Sequence, residues 1–199
     1  LIIACIIVFN EEKFIERCLR SLKNKADRII VVDGVYKDFP HEIPHSTDRT
    51  IQIIQDITPE ASIIQTLNPW HSQVEKRNFY LGGEKGDWYF HIDADEELVG
   101  KLPNTARLNR EAYNIQIRGK HSILGLRLFK HQDGIHYEGA HNALWVRDRL
   151  LRFYNYPILS LCYLKHHSEE RDEERKKAQQ IYYGRQYEAE KEFRKQYVF

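Results

Sequence analysis

Three short apolar runs in the first half of the chain each stop at a polar or acidic residue. Leu1 to Phe9 runs into Asn10, Glu11 and Glu12. Ile29 to Val32 runs into Asp33. Trp88 to Ile92 runs into Asp93, Asp95, Glu96 and Glu97. Continuous apolar runs of this length, bounded by turn residues, are the pattern of strands buried on both faces. Between them lie segments with helical spacing. Phe14, Ile15, Cys18, Leu19 and Leu22 form the first inner face, and Ile51, Ile54 and Ile57 the second. A third stretch, 72–81, carries Val74, Arg77, Asn78 and Tyr80 and ends at Gly82-Gly83. A short strand is predicted over 61–66. The order β-α-β-α-β-α-β predicts an α/β fold with a mostly parallel sheet and helices on both faces. Asn10 is placed to cap the first helix, with Glu11 and Glu12 at its positive end. Ser46 to Thr50 reads as the start of the second helix. The long polar stretch from Gly34 to His45 reads as a lid or a surface excursion.

The second half changes character. Tyr113 to Arg118 alternates like a half-buried strand, and further strands are predicted over 125–129, 135–141, 144–146 and 158–164. In the tail, Ser168 is placed to cap a helix, the charged run through Lys177 is expected to face solvent, and Ala178, Ile181, Tyr182, Arg185, Ala189 and Phe193 offer one covering face. The expected organisation is a single domain over 1–167, in halves 1–97 and 98–167, with a helical extension over 168–199. Hydrophobic residues make up 42%, enough for a core of that size. The formal charge of +1 argues against a nucleic-acid partner bound through a basic field. Three scattered cysteines make neither a disulfide framework nor a zinc knuckle. Cys5 and Cys18 read as buried thiols, which favours a reducing, cytoplasmic setting. Leu1 to Phe9 is too short to span a bilayer and no basic segment precedes it, so a strand is expected there, not a signal peptide. The sequence contains no Met and begins at Leu1, so it is expected to omit residues.

Asp93-x-Asp95 carries the first chemical suggestion. Two aspartates just beyond a strand are also what an ordinary turn or cap looks like. Three polar strand exits on one sheet edge weigh against that, because open α/β sheets bind ligands beyond the carboxyl ends of their strands. Hard carboxylate oxygens suit Mg²⁺ or Mn²⁺ and leave coordination positions for substrate phosphates. His91, His141, His166 and His167 read equally well as site residues or as satisfied polar histidines. No HExxH or paired-cysteine spacing is present.

Ile6-Ile7-Val8-Phe9-Asn10-Glu11-Glu12, Ile30-Val31-Val32-Asp33-Gly34, Ser46-Thr47-Asp48-Arg49-Thr50 and Phe90-His91-Ile92-Asp93-Ala94-Asp95-Glu96-Glu97 together resemble the GT-A class of nucleotide-sugar glycosyltransferases, specifically the inverting family 2. Arg127-Leu128-Phe129 and Gly139-Ala140-His141 resemble its acceptor-side half. The resemblance spans roughly residues 2–167, and its motifs are specific jointly, not singly. It implies a GT-A Rossmann-like sheet with a donor-binding half over 1–97, a mixed acceptor-side region over 98–167 and a C-terminal helix. It implies a UDP- or GDP-linked sugar donor with Mn²⁺ or Mg²⁺. Phe9, Asn10, Glu12, Asp33, Asp48, Arg77 and Asp93 would hold the donor, and Asp95 the metal, with His141 or His166. Glu138 would be the base, with His141 its rival. This chain has His141-Asn142 where many members have His-Glu, and it lacks the Gln-x-x-Arg-Trp motif of processive members, which argues against a polymerase. The acceptor could be a glycan, a lipid or a protein, and peripheral membrane contact and homodimerisation both stay open. The competing readings are a metal-dependent phosphatase, a nucleotidyltransferase and a non-catalytic GT-A-like scaffold. A nucleotidyltransferase should show a glycine-rich basic loop near the first strand, and none is present.

Overall fold

The structure is a computed structural model that describes residues 1–37, 39, 41–83, 86–139, 143–178, 180–182 and 184. His141 and its neighbours Ala140 and Asn142 lie outside the described residues, as do Arg185, Ala189 and Phe193 of the expected covering face.

The apolar runs form strands as their pattern requires. β1 (Ile2–Val8), β2 (Arg28–Asp33), β3 (Ser62–Ile64) and β4 (Trp88–His91) lie parallel in the order β3-β2-β1-β4. The sheet continues through β7 (Ser122–Lys130), β6 (Ala112–Arg118), β11 (Ile158–His166) and β5 (Glu96–Gly100), for eight strands in all. β7 is antiparallel to both β4 and β6, β11 runs parallel to β6, and β5 closes the edge antiparallel to β11. A separate antiparallel sheet joins β10 (Arg149–Leu150), β9 (Ala143–Val146) and β8 (Ile135–Glu138).

Strand alternation splits the core in two. Ala4, Ile6 and Val8 of β1 point to one face, where α1 (Ile15–Leu22) and α2 (Thr50–Ile57) pack, and Ile15, Cys18, Leu19, Leu22 and Ile54 are buried there as their spacing predicts. Ile3 and Cys5 point to the other face, against α3 (Gln73–Gly83) and Tyr137 of β8. Cys5, Cys18 and Cys162 are all buried thiols and none forms a disulfide.

Two glycines are fixed by backbone. Gly34 has φ +136°, and a Cβ there would lie 2.6 Å from Nε1 of Trp70. Gly100 has φ +94°, and a Cβ there would lie 2.2 Å from the Leu161 carbonyl oxygen. Only glycine tolerates both demands.

Several local expectations are corrected. Asn10 does not cap α1, which starts at Ile15 with no side-chain cap. It adopts φ 52°, and its Oδ1 instead accepts from the Thr47 amide at 2.8 Å. Glu12 likewise faces the loop before α2 and accepts from the Arg49 amide at 3.0 Å. The second helix begins at Thr50, with Asp48 accepting from the Thr50 amide at 2.9 Å. Gly82-Gly83 does not break α3, which runs through Gly83. The acidic stretch after Asp93 is not all loop: Glu96 to Gly100 is β5, because β11 offers it an unpaired edge. Ser168 caps nothing, and Asp172 accepts from the Arg175 amide at 2.7 Å where the tail turns helical over 173–178. The charged run does not simply face solvent, since Arg171 is buried between acids.

Asp33 ties these loops to the sheet. It is fully buried and accepts from the Ser46 amide (3.0 Å), the Ser46 hydroxyl (2.6 Å) and Gln65 Nε2 (2.8 Å). Asp33→Ala should therefore leave buried donors unpaired and cost about 2–4 kcal/mol of unfolding free energy. Urea denaturation checks this, and an unchanged midpoint would remove Asp33 from its bracing role.

Candidate functional site

The register of the sheet creates the site. His91, the last residue of β4, lies level with Cys5, while β1 continues to Val8. Residues 92–95 therefore cross beside the tip of β1, with the Ile92 amide bonded to the Cys5 carbonyl at 3.2 Å. A cavity of about 290 Å³ opens there. Its walls carry Phe9, Glu11, Tyr36, Phe39, Lys76, Arg77, Asp93, Asp95, His166, Arg171, Arg175 and Tyr182.

Asp93 is held rigidly from three elements. His91 Nε2 lies 3.0 Å from Oδ1, Arg77 Nη2 of α3 lies 3.3 Å from Oδ1, and Arg127 Nη2 of β7 lies 3.1 Å from Oδ2. Burial alone would raise its pKa, but Arg127, His91 and Arg77 outweigh burial and hold the carboxyl well below the usual range. Behind it runs a hydrogen-bond chain. Tyr80 donates to Tyr137 (3.1 Å), and the Tyr137 hydroxyl lies 3.5 Å from His91 Nδ1. Burial, aided by Arg77 and Arg127, lowers the His91 pKa to about 3, so its imidazole is neutral. A neutral ring that accepts at Nδ1 donates Nε2–H to Asp93, which fixes the tautomer. Glu96 completes the cluster: Arg127 Nη2 sits 2.7 Å from its Oε1, while burial pushes its carboxyl up to about 8.

Asp95 lies on the opposite wall and has different partners. Its Oδ2 meets Arg171 Nη2 at 3.1 Å and His166 Nε2 at 3.4 Å. The same guanidinium reaches Glu11 at 2.9 Å, so one cation bridges two buried carboxylates. Burial, more than its cationic neighbours, sets the Glu11 pKa and raises it. Arg175 Nη2 donates to the Phe9 carbonyl oxygen, and its guanidinium packs over the rings of Phe9 and Phe39 at 5.4 and 5.1 Å. Lys76 is buried, donates to the Val8 and Gly34 carbonyls at 2.8 Å each and lies over the Tyr36 ring. Burial lowers its pKa to about 7 against the pull of Asp33 and Glu11.

The expected site residues thus fall into groups. Phe9, Arg77, Asp93, Asp95 and His166 line the cavity. Asn10, Glu12, Asp33 and Asp48 form the brace between the β1–α1 turn and the loop before α2, and none of them lines the cavity. Glu138 ends β8, is half exposed and lies 3.6 Å from His136. The 34–45 stretch is tied down by a backbone bridge between Tyr36 and Trp70, and it delivers Tyr36 and Phe39 to the cavity wall. Lys76, Arg127, Arg171, Arg175 and Tyr182 were not expected here. Arg127 carried one signal, a cation within the apolar stretch Gly125 to Phe129 of its strand.

Among the described residues no group of three or more His, Cys, Asp or Glu side chains is arranged to hold an ion. Both Asp93 oxygens are occupied by core cations. Asp95 and His166 are close enough to share one ion, with further positions left to phosphate oxygens. The guanidinium bridging Asp95 and Glu11 shows that this wall accommodates positive charge. The fit is therefore to an ion held by Asp95 and His166, without Asp93.

The family model of glycosyl transferase family 2 matches residues 3–107, more than half of the chain, and the chain belongs to that family. Its mixed sheet, parallel around β1, is the GT-A Rossmann-like fold. It is 38% identical over 99 residues to an uncharacterized glycosyltransferase of Rickettsia bellii, covering 50% of this chain and 29% of that protein. It is 34% identical over 108 residues to the glycosyltransferase SunS of Bacillus subtilis, covering 52% and 23% respectively. The chain thus spans only about a quarter to a third of the length of these curated relatives. Among solved structures, S. aureus TarS 1-349 in complex with UDP matches with a TM-score of 0.47 and 17% identity, covering 71% of this chain and 42% of that one.

The neutral His91 makes a pH prediction. Folded, it stays unprotonated down to about pH 3, whereas the unfolded ring protonates near 6.5. The unfolded state then binds the extra proton, so stability falls as pH drops through 6.5 toward 3, by up to about 1.4 kcal/mol per pH unit. His91→Gln should flatten that acid limb in urea titrations. Equal slopes in the two proteins would contradict a neutral His91.

Proposed function

We propose that the chain is the catalytic region of a metal-dependent, inverting glycosyltransferase that moves a sugar from a UDP- or GDP-linked donor to a hydroxyl acceptor. One observation supports this most: a family 2 sequence places aromatic rings, cations and the Asp93/Asp95 pair around one cavity at the sheet edge. The aromatic walls Phe9, Tyr36 and Phe39 suit a nucleobase, and Arg77 and Lys76 suit the anionic parts of a donor. Asp93, already neutralised by core cations, is suited to accept from ribose hydroxyls. Asp95 with His166 would hold Mn²⁺ or Mg²⁺, which when bound would stabilise the negative charge of the leaving nucleoside diphosphate.

The acceptor hydroxyl must lose a proton as it attacks the anomeric carbon. Glu138 is the proposed base: it is half exposed at the end of β8, next to Tyr137, which packs on His91. His141 is its rival and the rival to His166 as a metal ligand. A single direct displacement inverts the anomeric centre and needs no covalent nucleophile. The buried thiols, none of them in a disulfide, accord with the proposed cytoplasmic setting. No helix among the described residues is long and apolar enough to cross a membrane. Acceptor class, glycan, lipid or protein, is left to the assay.

The test is a nucleotide-sugar panel with Mn²⁺ or Mg²⁺ and an acceptor library, read by product mass. Transfer from one donor is expected. Release of inorganic phosphate from simple esters would favour a phosphatase instead, and no donor binding would favour a scaffold. Asp95→Ala should abolish metal-dependent transfer while unfolding stays cooperative. Glu138→Gln should slow transfer about 10²–10⁴-fold with donor binding retained, and an unchanged rate would move the base elsewhere.

A further inference from the structure

The tail is the feature of the cavity that the proposed chemistry leaves unexplained. Arg171 puts one guanidinium between Glu11 and Asp95, at 2.9 and 3.1 Å, where both carboxylates are 8% exposed. Tyr182 lies flat on Tyr36, with ring centroids 4.7 Å apart and planes 13° from parallel. Arg175 caps the Phe9 carbonyl between these two contacts. A metal-bound nucleoside diphosphate offers matching chemistry: a planar ring for an aromatic wall and a cation for the carboxylates. A divalent ion on Asp95 would sit against the Arg171 guanidinium and be repelled by it, and one face of Tyr36 cannot stack on two rings.

We propose that the segment carrying Arg171, Arg175 and Tyr182 is an internal occupant of the donor cavity, with Arg171 in the cation position and Tyr182 in the base position, displaced when metal and donor bind. The inference rests on the donor reading above. The occupant is suited to leave. Its helical stretch is largely exposed, and the side-chain contacts described for Arg171, Arg175 and Tyr182 fall on residues that line the cavity, apart from Arg171 over the ring of Phe14, while Glu170 just before them stays anchored to Arg17 at 2.9 and 3.0 Å. The carboxylates it neutralises would otherwise repel each other inside the protein, so each state supplies them with a cation. Two occupants that exclude each other are linked reciprocally: whatever loosens the tail tightens the ligand by the same factor.

The full chain should be titrated with Mn²⁺ alone, read by the electron paramagnetic resonance of the free ion, and with UDP, then GDP, in the presence of Mn²⁺, read by calorimetry. Arg171→Met should bind Mn²⁺ about 5- to 150-fold more tightly than wild type, the range usual for coupled sites. Arg171→Lys, which keeps the charge, should bind as wild type does. Tyr182→Ala leaves every carboxylate pair intact and should bind UDP about two- to tenfold more tightly, the worth of one aromatic stack. UDP with Mn²⁺ should also speed tryptic cleavage after Arg171 and Arg175 in the wild type. If Arg171→Met does not fold, Tyr182→Ala and the cleavage rate decide. Wild-type UDP binding with no gain in either variant and no faster cleavage would overturn the occupant while leaving the donor reading intact. Tighter Mn²⁺ binding by Arg171→Met with neither UDP nor GDP bound by any protein would overturn the donor reading and keep the cation role of Arg171.

Discussion

Carboxylates taken out of water need cations, and this fold gathers Glu11, Asp93, Asp95 and Glu96 at one sheet edge. An isolated buried carboxylate is costly enough that it would protonate, and breaking a buried pair typically costs about 3–5 kcal/mol. Much of the site's architecture follows from meeting that demand. Arg127 reaches in from β7, Arg77 from α3 and Arg171 from the tail, each facing a carboxylate from a different part of the chain. The acids thereby add ion pairs between elements that the sheet and the apolar core already join. Arg127 bridges Asp93 and Glu96, so the antiparallel half of the sheet is tied to the parallel half across the cavity floor.

A second constraint is backbone register. Because β4 stops level with Cys5, the chain has three residues of β1 to cross before the sheet edge ends. That short crossing sets Asp93 and Asp95 beside Val8 and Phe9. The β1–α1 turn is then held by the loop before α2, through Asn10, Glu12, Asp33 and Asp48. These residues serve the site by fixing where Phe9 and Glu11 sit. Their own polar atoms are largely spent on loop amides, which is why they stand behind the cavity wall.

The parallel half was legible in the sequence because burial on both faces leaves continuous apolar runs, and helices packed on a sheet keep a 3.6-residue period. Phe14, Ile15, Cys18, Leu19 and Leu22 show both rules at work. Asp93, Asp95 and Phe9 were legible as residues of the cavity wall because they follow strand ends, whereas Arg77 reaches it from within α3. What escaped depends on distant pairing. β5 needed an edge supplied by β11, some sixty residues later, and no local pattern in Glu96 to Gly100 records that edge. Arg171 and Arg175 lie in a run of Glu, Asp, Arg and Lys whose composition matches a solvated helix. Charge alone does not say which cation has a buried partner; only the location of Glu11 and Asp95 does. Asn10 has the residue type of a helix cap, and a positive φ, invisible in composition, turned it toward Thr47 instead.

Asp93 and Asp95 are two residues apart and of one chemical type, yet their surroundings give them opposite freedom. Asp93 is bound by Arg127, Arg77 and His91, which sit on β7, α3 and β4, and His91 is itself backed by Tyr137 and Tyr80. Releasing it would mean disrupting the core. Its charge is a fixed part of the scaffold, poorly placed to change partners. Asp95 is bound by His166 at the end of β11 and by Arg171 of the tail, which lies outside the sheet and follows Glu170, itself anchored to Arg17. Its partner can leave without disturbing a strand. In the proposed exchange of Arg171 for a metal-bound donor, Asp93 would fix position while Asp95 changes its counter-ion. Here, packing on the elements that supply the cations makes that difference, although the two aspartates look alike in sequence.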